Sequence, residues 1–283
     1  MRTPAAPRTP AGLCALSVLL GVLGVAAQDA MDKKIVEGID KIEAKGSYAF
    51  EWKWRARNLK GEENAEKPLT GEYLAPGVFL ARIKNMEMYR KGDKAVINNG
   101  DGTWVPAEKA KAEADSAGRR FFTANAPRIL RELPVPHEML KKLPDWADKL
   151  RRAPRTEKVG PAQKPCYYYE GTLKDSRGKR VLQLFTDMQT FVGNWAKLTA
   201  LKESTVRIYF GSSDNLIYQV VLAQKCNHGS FGKKENPWTA EEEITFLGLG
   251  GVKYDPPEGV RKALGLPDKD EWELQHAAAD KAK

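Results

Sequence analysis

The stretch Ser47-Tyr48-Ala49-Phe50-Glu51-Trp52-Lys53-Trp54-Arg55 decides how the rest of the chain is read. Aromatic residues occupy every second position from Tyr48 to Trp54, and Ala49, Glu51, Lys53 and Arg55 fill the positions between. A period of two belongs to a β-strand, whose successive side chains point to opposite faces. This strand carries four aromatics on one face and mostly charge on the other. Its aromatic face must be buried against a second layer or wrapped around something apolar.

On the N-terminal side the period changes to 3.6. Met31 to Lys45 places Ile35, Val36, Ile39 and Ile42 at helical spacing with Lys and Glu opposite, and Gly46 closes the helix. On the C-terminal side come short strands: Gly71 to Leu74, Val78 to Lys84, Met86 to Arg90, Ala95 to Ile97 and Thr103 to Val105. They are separated by Ala75-Pro76-Gly77, Lys91-Gly92-Asp93 and Asn98-Asn99-Gly100-Asp101-Gly102. These are turn chemistries that join antiparallel neighbours, so the segment reads as a meander.

From Ala107 to about Leu150 the composition favours helix, cut into short pieces by Pro127, Pro134, Pro136 and Pro144. Arg151 to Pro165, with three prolines and many charges, reads as a linker, so a helical insertion spans about 107–165. Strand character returns at Cys166 to Leu173. Phe191, Val192, Trp195 and Leu198 indicate one more helix. Thr205 to Gly211 and Leu216 to Gln224 form a strand pair across Ser212-Ser213-Asp214-Asn215, and Glu243 to Leu247 and Val252 to Tyr254 close the series. Glu258 to Leu264 reads as a terminal helix and 268–283 as a flexible tail. Helix, many strands, a helical interruption and many strands again is the order of an α+β fold with one antiparallel sheet and helices on one side.

Residues 1–27 have the three parts of a secretory signal: Arg2 and Arg8, an apolar run from Leu13 to Val25, and small residues at Val25-Ala26-Ala27. The apolar run falls short of the roughly 20 residues of a membrane span. The expected mature protein is therefore exported, periplasmic and soluble, with a single domain over 28–267. Removal of Arg2 and Arg8 leaves 44 basic against 37 acidic residues, a net +7. Residues 107–165 hold 14 basic and 8 acidic residues. That surplus suits contact with anionic headgroups or a solvated face, and an exported chain excludes nucleic acid as its natural partner.

Cys166 and Cys226 remain in the mature chain and leave three alternatives open: a structural disulfide, two free buried thiols, or a reactive thiol helped by His228. No catalytic motif is present: there is no G-x-S-x-G, no H-E-x-x-H, no Walker-type loop and no G-x-G-x-x-G after a strand. Gly248-Leu249-Gly250-Gly251 leads into no helix and reads as a bulge or tight turn. His137, His228 and His276 lie far apart in sequence, so neither a metal site, a cofactor site nor a general base is expected. The residues that stand out are apolar strand positions: Phe50, Trp52, Trp54, Phe79, Met88, Ile208, Phe210 and Tyr218. They are core under a covering helix, or they line a cavity for a lipid-like ligand. The same residues serve both readings.

The helix followed by Ser47-Tyr48-Ala49-Phe50-Glu51-Trp52, then Pro76-Gly77-Val78-Phe79, Tyr89-Arg90-Lys91-Gly92-Asp93 and Gly102-Thr103-Trp104-Val105, resembles the first half of the lipoprotein-carrier-like LolA/LppX superfamily. Val206 to Gly211 leading through Asp214-Asn215-Leu216-Ile217-Tyr218, and Phe246-Leu247-Gly248 before Val252 to Pro257, resemble its second half. The resemblance covers most of the mature chain through strand and turn patterns. It implies a curved antiparallel β half-barrel with helices packed in the concave face and a hydrophobic cavity between the layers. It also implies a non-enzymatic carrier of lipid or lipoprotein acyl chains, acting as a monomer with an envelope membrane protein as donor or acceptor. The alternative on the same fold is an envelope lipid-sensing module that works through protein contacts. A hydrolase, the third class, lacks a nucleophile and base together.

Overall fold

The aromatic strand at Ser47–Asn58 (β1) is the centre of the sheet, because its two faces are chemically different and both edges can be paired. In the computed structural model the described residues are 30–58, 60–61, 63–65, 68–74, 77–83, 86–98, 103–109, 133–174, 197–229, 237–253 and 255–273, the side chains of 64–65, 197–202 and 227–229 excepted. Strands β2 (Glu63–Ala65), β3 (Leu69–Leu74), β4 (Val78–Ile83), β5 (Met86–Lys91), β6 (Lys94–Asn98) and β7 (Trp104–Pro106) follow β1 as the expected meander. Strands β8 (Ala147–Val159), β9 (Lys164–Leu173), β10 (Lys197–Gly211), β11 (Ile217–Gly229) and β12 (Pro237–Leu247) form the second half.

The two halves join through β1 and β12. The order is β7-β6-β5-β4-β3-β1-β12-β11-β10-β9-β8, with β2 also paired to β1, twelve strands in all. Every pairing is antiparallel. Among the described residues β7 and β8 do not pair with each other, so the sheet stays open. Twist accumulated over this many strands coils it into a curved half-barrel. Helix α1 (30–44), the short helices α2 (Pro136–Leu140) and α3 (Leu143–Trp146), and α4 (Glu258–Leu264) complete the α+β fold.

The inner face carries the main core. Tyr48, Phe50, Trp52, Trp54 and Ala56 of β1 join Phe79 and Ala81 of β4, Met88 of β5, Ile97 of β6, Tyr167 and Tyr169 of β9, Ile208 and Phe210 of β10, and Ile244 and Phe246 of β12 in one cluster. Ile35, Ile39 and Ile42 of α1 belong to it and are fully buried. The outer face has two smaller clusters. Leu80, Tyr89 and Val96 lie under Val260 and Leu264 of α4 and Trp272. Val159, Cys166, Tyr168 and Tyr209 form the other.

Several sequence expectations are corrected. Residues 147–159 are not helix or linker but strand β8, an edge strand. Only Ala147 and Val159 are buried along it, so no alternation marks it in the sequence, and an edge tolerates its charges and Pro154. The tail does not begin at 268, since 269–273 is helical and Trp272 is buried against the outer face. Val252 and Lys253 lie outside any strand. The helix expected around Phe191, Val192 and Trp195 and the leader at 1–27 lie outside the described residues, whereas Leu198 is in β10. None of the described helices is long and apolar enough to cross a membrane.

Candidate functional site: the inner face

Period-two patterning places the odd-numbered charges of β1 outward and its even-numbered aromatics inward. Outside, Arg55 bonds Glu241 at 2.6 Å and Glu243 at 3.0 Å, and Lys53 bonds Glu51 at 2.6 Å. Inside, Phe50 stacks on Phe79 with centroids 5.5 Å apart, and Trp52 stacks on Trp54 at 5.2 Å. Tyr167 stacks on Phe210 at 5.6 Å. Seven of the eight sequence-predicted cavity residues, Phe50, Trp52, Trp54, Phe79, Met88, Ile208 and Phe210, share this face and are at most 1% exposed.

Tyr218 does not join them. The β10–β11 register passes from Tyr209↔Gln219 to Phe210↔Ile217, and this irregularity shifts the phase of β11. Ile217 and Val220 both point inward as a result, while Tyr218 packs on the outer cluster. There its hydroxyl donates to Asp214 at 2.9 Å and its ring lies 5.1 Å from Lys164 Nζ.

Cys166 and Cys226 are free and buried, which corrects the disulfide alternative. Cys166 sits in the outer cluster beside Gly211, whereas Cys226 faces inward beside Ala200 at the far end of β10. Eleven positions of strand at about 3.3 Å each separate them by roughly 30 Å or more. Burial pushes both thiols up to about 11, so neither is a poised nucleophile.

One end of the inner face is closed by helices. Helix α1 approaches the sheet closely at Gly38, where an added Cβ would come 3.0 Å from Ile217 and 3.2 Å from Phe210. Lys34 Nζ lies 4.9 Å from the Tyr167 ring centroid. Glu43 of α1 pairs with Lys141, after α2, at 2.6 Å on the surface. Helix α2 is held to the sheet by His137, which is 1% exposed. Tyr48 Oη and His137 Nδ1 are 2.7 Å apart, and the His137 backbone N–H donates to the same oxygen at 3.4 Å. The tautomer of the neutral imidazole sets which of Oη and Nδ1 donates in this pair. Burial lowers the pKa of His137 and raises that of Tyr48 well above its usual value, so both stay neutral at pH 7.

At the other end the inner row of β12 reads Ala240, Glu242, Ile244, Phe246. Glu242 is fully buried, and Trp52 Nε1 donates to it at 3.1 Å. A carboxyl group in an aromatic face is what sequence reading missed, as it missed the Tyr48–His137 pair 89 residues apart. Glu241-Glu242-Glu243 offers no local sign of which residue turns inward.

A cleft of about 420 Å³ opens at the end of the sheet, between the β8–β9 turn, the β10–β11 turn and the residues after β12. Lys45, Lys164 and Tyr218 line it, and Phe246 and Leu249 connect it to the inner core. Among the described residues no group of three or more His, Cys, Asp or Glu side chains is placed to hold a metal ion.

No protein-family model matches the chain, and no curated protein matches it in sequence. Solved structures similar to it include LprF from Mycobacterium bovis, at 12% identity and a TM-score of 0.39, covering 81% of this chain and 97% of that one. A LolA superfamily protein from Nitrosomonas europaea aligns at 9% identity and 0.24, covering 81% and 96%. A DUF1329 family protein from Desulfovibrio piger aligns at 8% and 0.26, covering 83% and 98%. At identities of 8–12% and TM-scores below 0.4 none of these likenesses bears on the role of this chain. What the inner face can do has to come from its own residues.

Proposed function

We propose that the chain is an exported, non-enzymatic carrier that shields an acyl chain of a lipid or lipoprotein between the inner face of the sheet and its covering helices. The observation that carries this reading is a single apolar face running from Ile97 of β6 through β1 to Tyr169 of β9. Aromatic rings and the flexible Met86 and Met88 make up much of it. Such side chains adapt to a flexible chain, and each buried methylene contributes about 0.8 kcal/mol.

The cover suits uptake and release. Helix α1 rests on the sheet through Ile35, Ile39 and Ile42, and its surface tie to α2 is the exposed Glu43–Lys141 pair. Exposed pairs of this kind contribute about 0.2–1 kcal/mol. Displacing the helix exposes apolar residues, which an acyl chain can cover in their place. The leader at 1–27 would deliver the protein to the envelope as a freely diffusing monomer. An envelope membrane protein would then load or unload it by favouring the open arrangement.

Native mass spectrometry of protein purified from its own envelope, followed by solvent extraction, tests the proposal. Acyl-bearing lipid should co-purify in defined stoichiometry. Protein that is repeatedly lipid-free and does not bind a fluorescent fatty-acyl probe refutes it.

A further inference from the structure

Two polar groups on the inner face have no place in a purely apolar carrier. Trp54 is 1% exposed, and its indole Nε1–H is buried with no hydrogen-bond partner among the described residues. Glu242 is fully buried in the β12 row between Ala240 and Ile244. The β1–β12 register sets Trp54 directly opposite Glu242, and the β11–β12 register sets Leu222 on its other side. Cross-strand partners on one face have Cβ atoms about 4.5–5.5 Å apart. An orphan donor and a carboxyl acceptor are thus neighbours within a layer of Trp52, Leu222 and Ile244.

The Trp54 donor is costly where it stands. A buried polar group without a partner loses its water and gains nothing in return, and a buried carboxyl needs hydrogen bonds to be tolerated at all. A carboxyl can accept about four hydrogen bonds, so Glu242 can hold the Trp52 indole and serve a ligand together. The ligand group that serves both sides must accept from Trp54 Nε1 and donate to Glu242. An ester carbonyl accepts but cannot donate, and an ammonium donates but cannot accept. A hydroxyl does both and is neutral, so it enters an apolar layer without an unpaired charge.

Building on the carrier reading, we infer that Trp54 and Glu242 form a hydroxyl-recognition point for the headgroup region of a hydroxyl-bearing acyl lipid. The acyl chains of that lipid lie along the rest of the inner face. The polar pair fixes which end of the ligand sits deep, and the Trp52–Trp54 stack, 5.2 Å between centroids, holds the donor in place.

The test uses the full delipidated protein and two probes that differ only at the hydroxyl: 1,2-dioleoylglycerol and its 3-O-acetyl ester. Binding is read by displacement of a fluorescent fatty-acyl probe. The wild type is expected to bind the free hydroxyl about 10-fold tighter, the ratio that one hydrogen bond of about 1.4 kcal/mol gives. Trp54→Phe and Glu242→Met are expected to lose the preference, binding the two probes within about twofold of each other. Equal wild-type affinity for the two probes overturns the inference and leaves the carrier standing. Binding of neither probe by folded wild type overturns both. Variants that fold and keep the 10-fold preference refute the assignment to these residues, and the wild-type ratio decides the ligand class even where a variant fails to fold.

Discussion

Lowering the pH from 7.5 to 5 acts on His137 at the joint between α2 and the sheet. His137 is 1% exposed, shares a hydrogen bond through Nδ1 with Tyr48 Oη at 2.7 Å, and meets the Tyr73 ring edge-on at 4.6 Å. The charged groups facing it are Glu43 from α1 and Glu138 and Lys141 from α2 and its end. Burial outweighs the two carboxylates and holds the folded-state pKa below the ordinary 6.5. The unfolded chain therefore takes up a proton at His137 before the folded chain does. The stabilisation is complete above pH 6.5 and is lost as pH falls from there through the folded pKa, at up to about 1.4 kcal/mol per pH unit. In the imidazolium both ring nitrogens are donors, so Tyr48 Oη then accepts from Nδ1. Urea unfolding of the wild type and His137→Phe at pH 7.5, 6.5, 5.5 and 5.0 checks this. Subtracting the two profiles removes the other histidines. The difference should be flat above pH 7 and should shrink below 6.5; parallel profiles down to pH 5 refute the reasoning.

Arg261 is 5% exposed and donates to the carbonyls of Pro256 at 2.8 Å and of Pro267 and Asp268 at 3.1 Å, with its guanidinium 5.3 Å from the Trp272 ring. Arg261→Ala should cost about 2–4 kcal/mol in denaturant unfolding and raise protease sensitivity after residue 255; a loss under about 1 kcal/mol counts against a stapling role. Gly71 lies on the inner face under Phe50, and an added Cβ would stand 2.2 Å from the Leu80 carbonyl oxygen and 2.4 Å from the Phe50 ring. Gly71→Ala should destabilise by about 1–3 kcal/mol or more, and wild-type thermal stability would show that the sheet yields there without cost. Cys166 and Cys226, with thiols near 11, should resist a disulfide thiol reagent at pH 8 in the native state and react on unfolding. Rapid native labelling of either one contradicts their burial.

Where burial on one face writes a period into the chain, the sequence was readable. The Tyr48–Trp54 alternation, the Ile35-Ile39-Ile42 helix and the Lys91-Gly92-Asp93 turn of the meander all appear at their expected places. Strand β8 was not readable, because an edge strand with two buried residues has no period to show and its charges imitate a linker. Tyr218 was placed on the wrong face because a register irregularity beside it breaks strict alternation, and that irregularity depends on how β10 and β11 meet. The Cys166–Cys226 alternatives could not be separated without knowing that the two residues occupy opposite faces and opposite ends of the strands.

The sequence by itself determined that one face of a central strand is aromatic and must be covered, because alternation and the cost of exposing four large rings are local facts. The tertiary structure decided which groups share that face. Glu241-Glu242-Glu243 is locally uniform, yet pairing with β1 sets Glu241 and Glu243 against Arg55 outside and carries Glu242 inward beside Trp52 and Trp54. A shift of one residue in that pairing would exchange them. The position of a buried carboxyl is therefore a property of the register between strands nearly 200 residues apart, and the chain's local chemistry does not contain it.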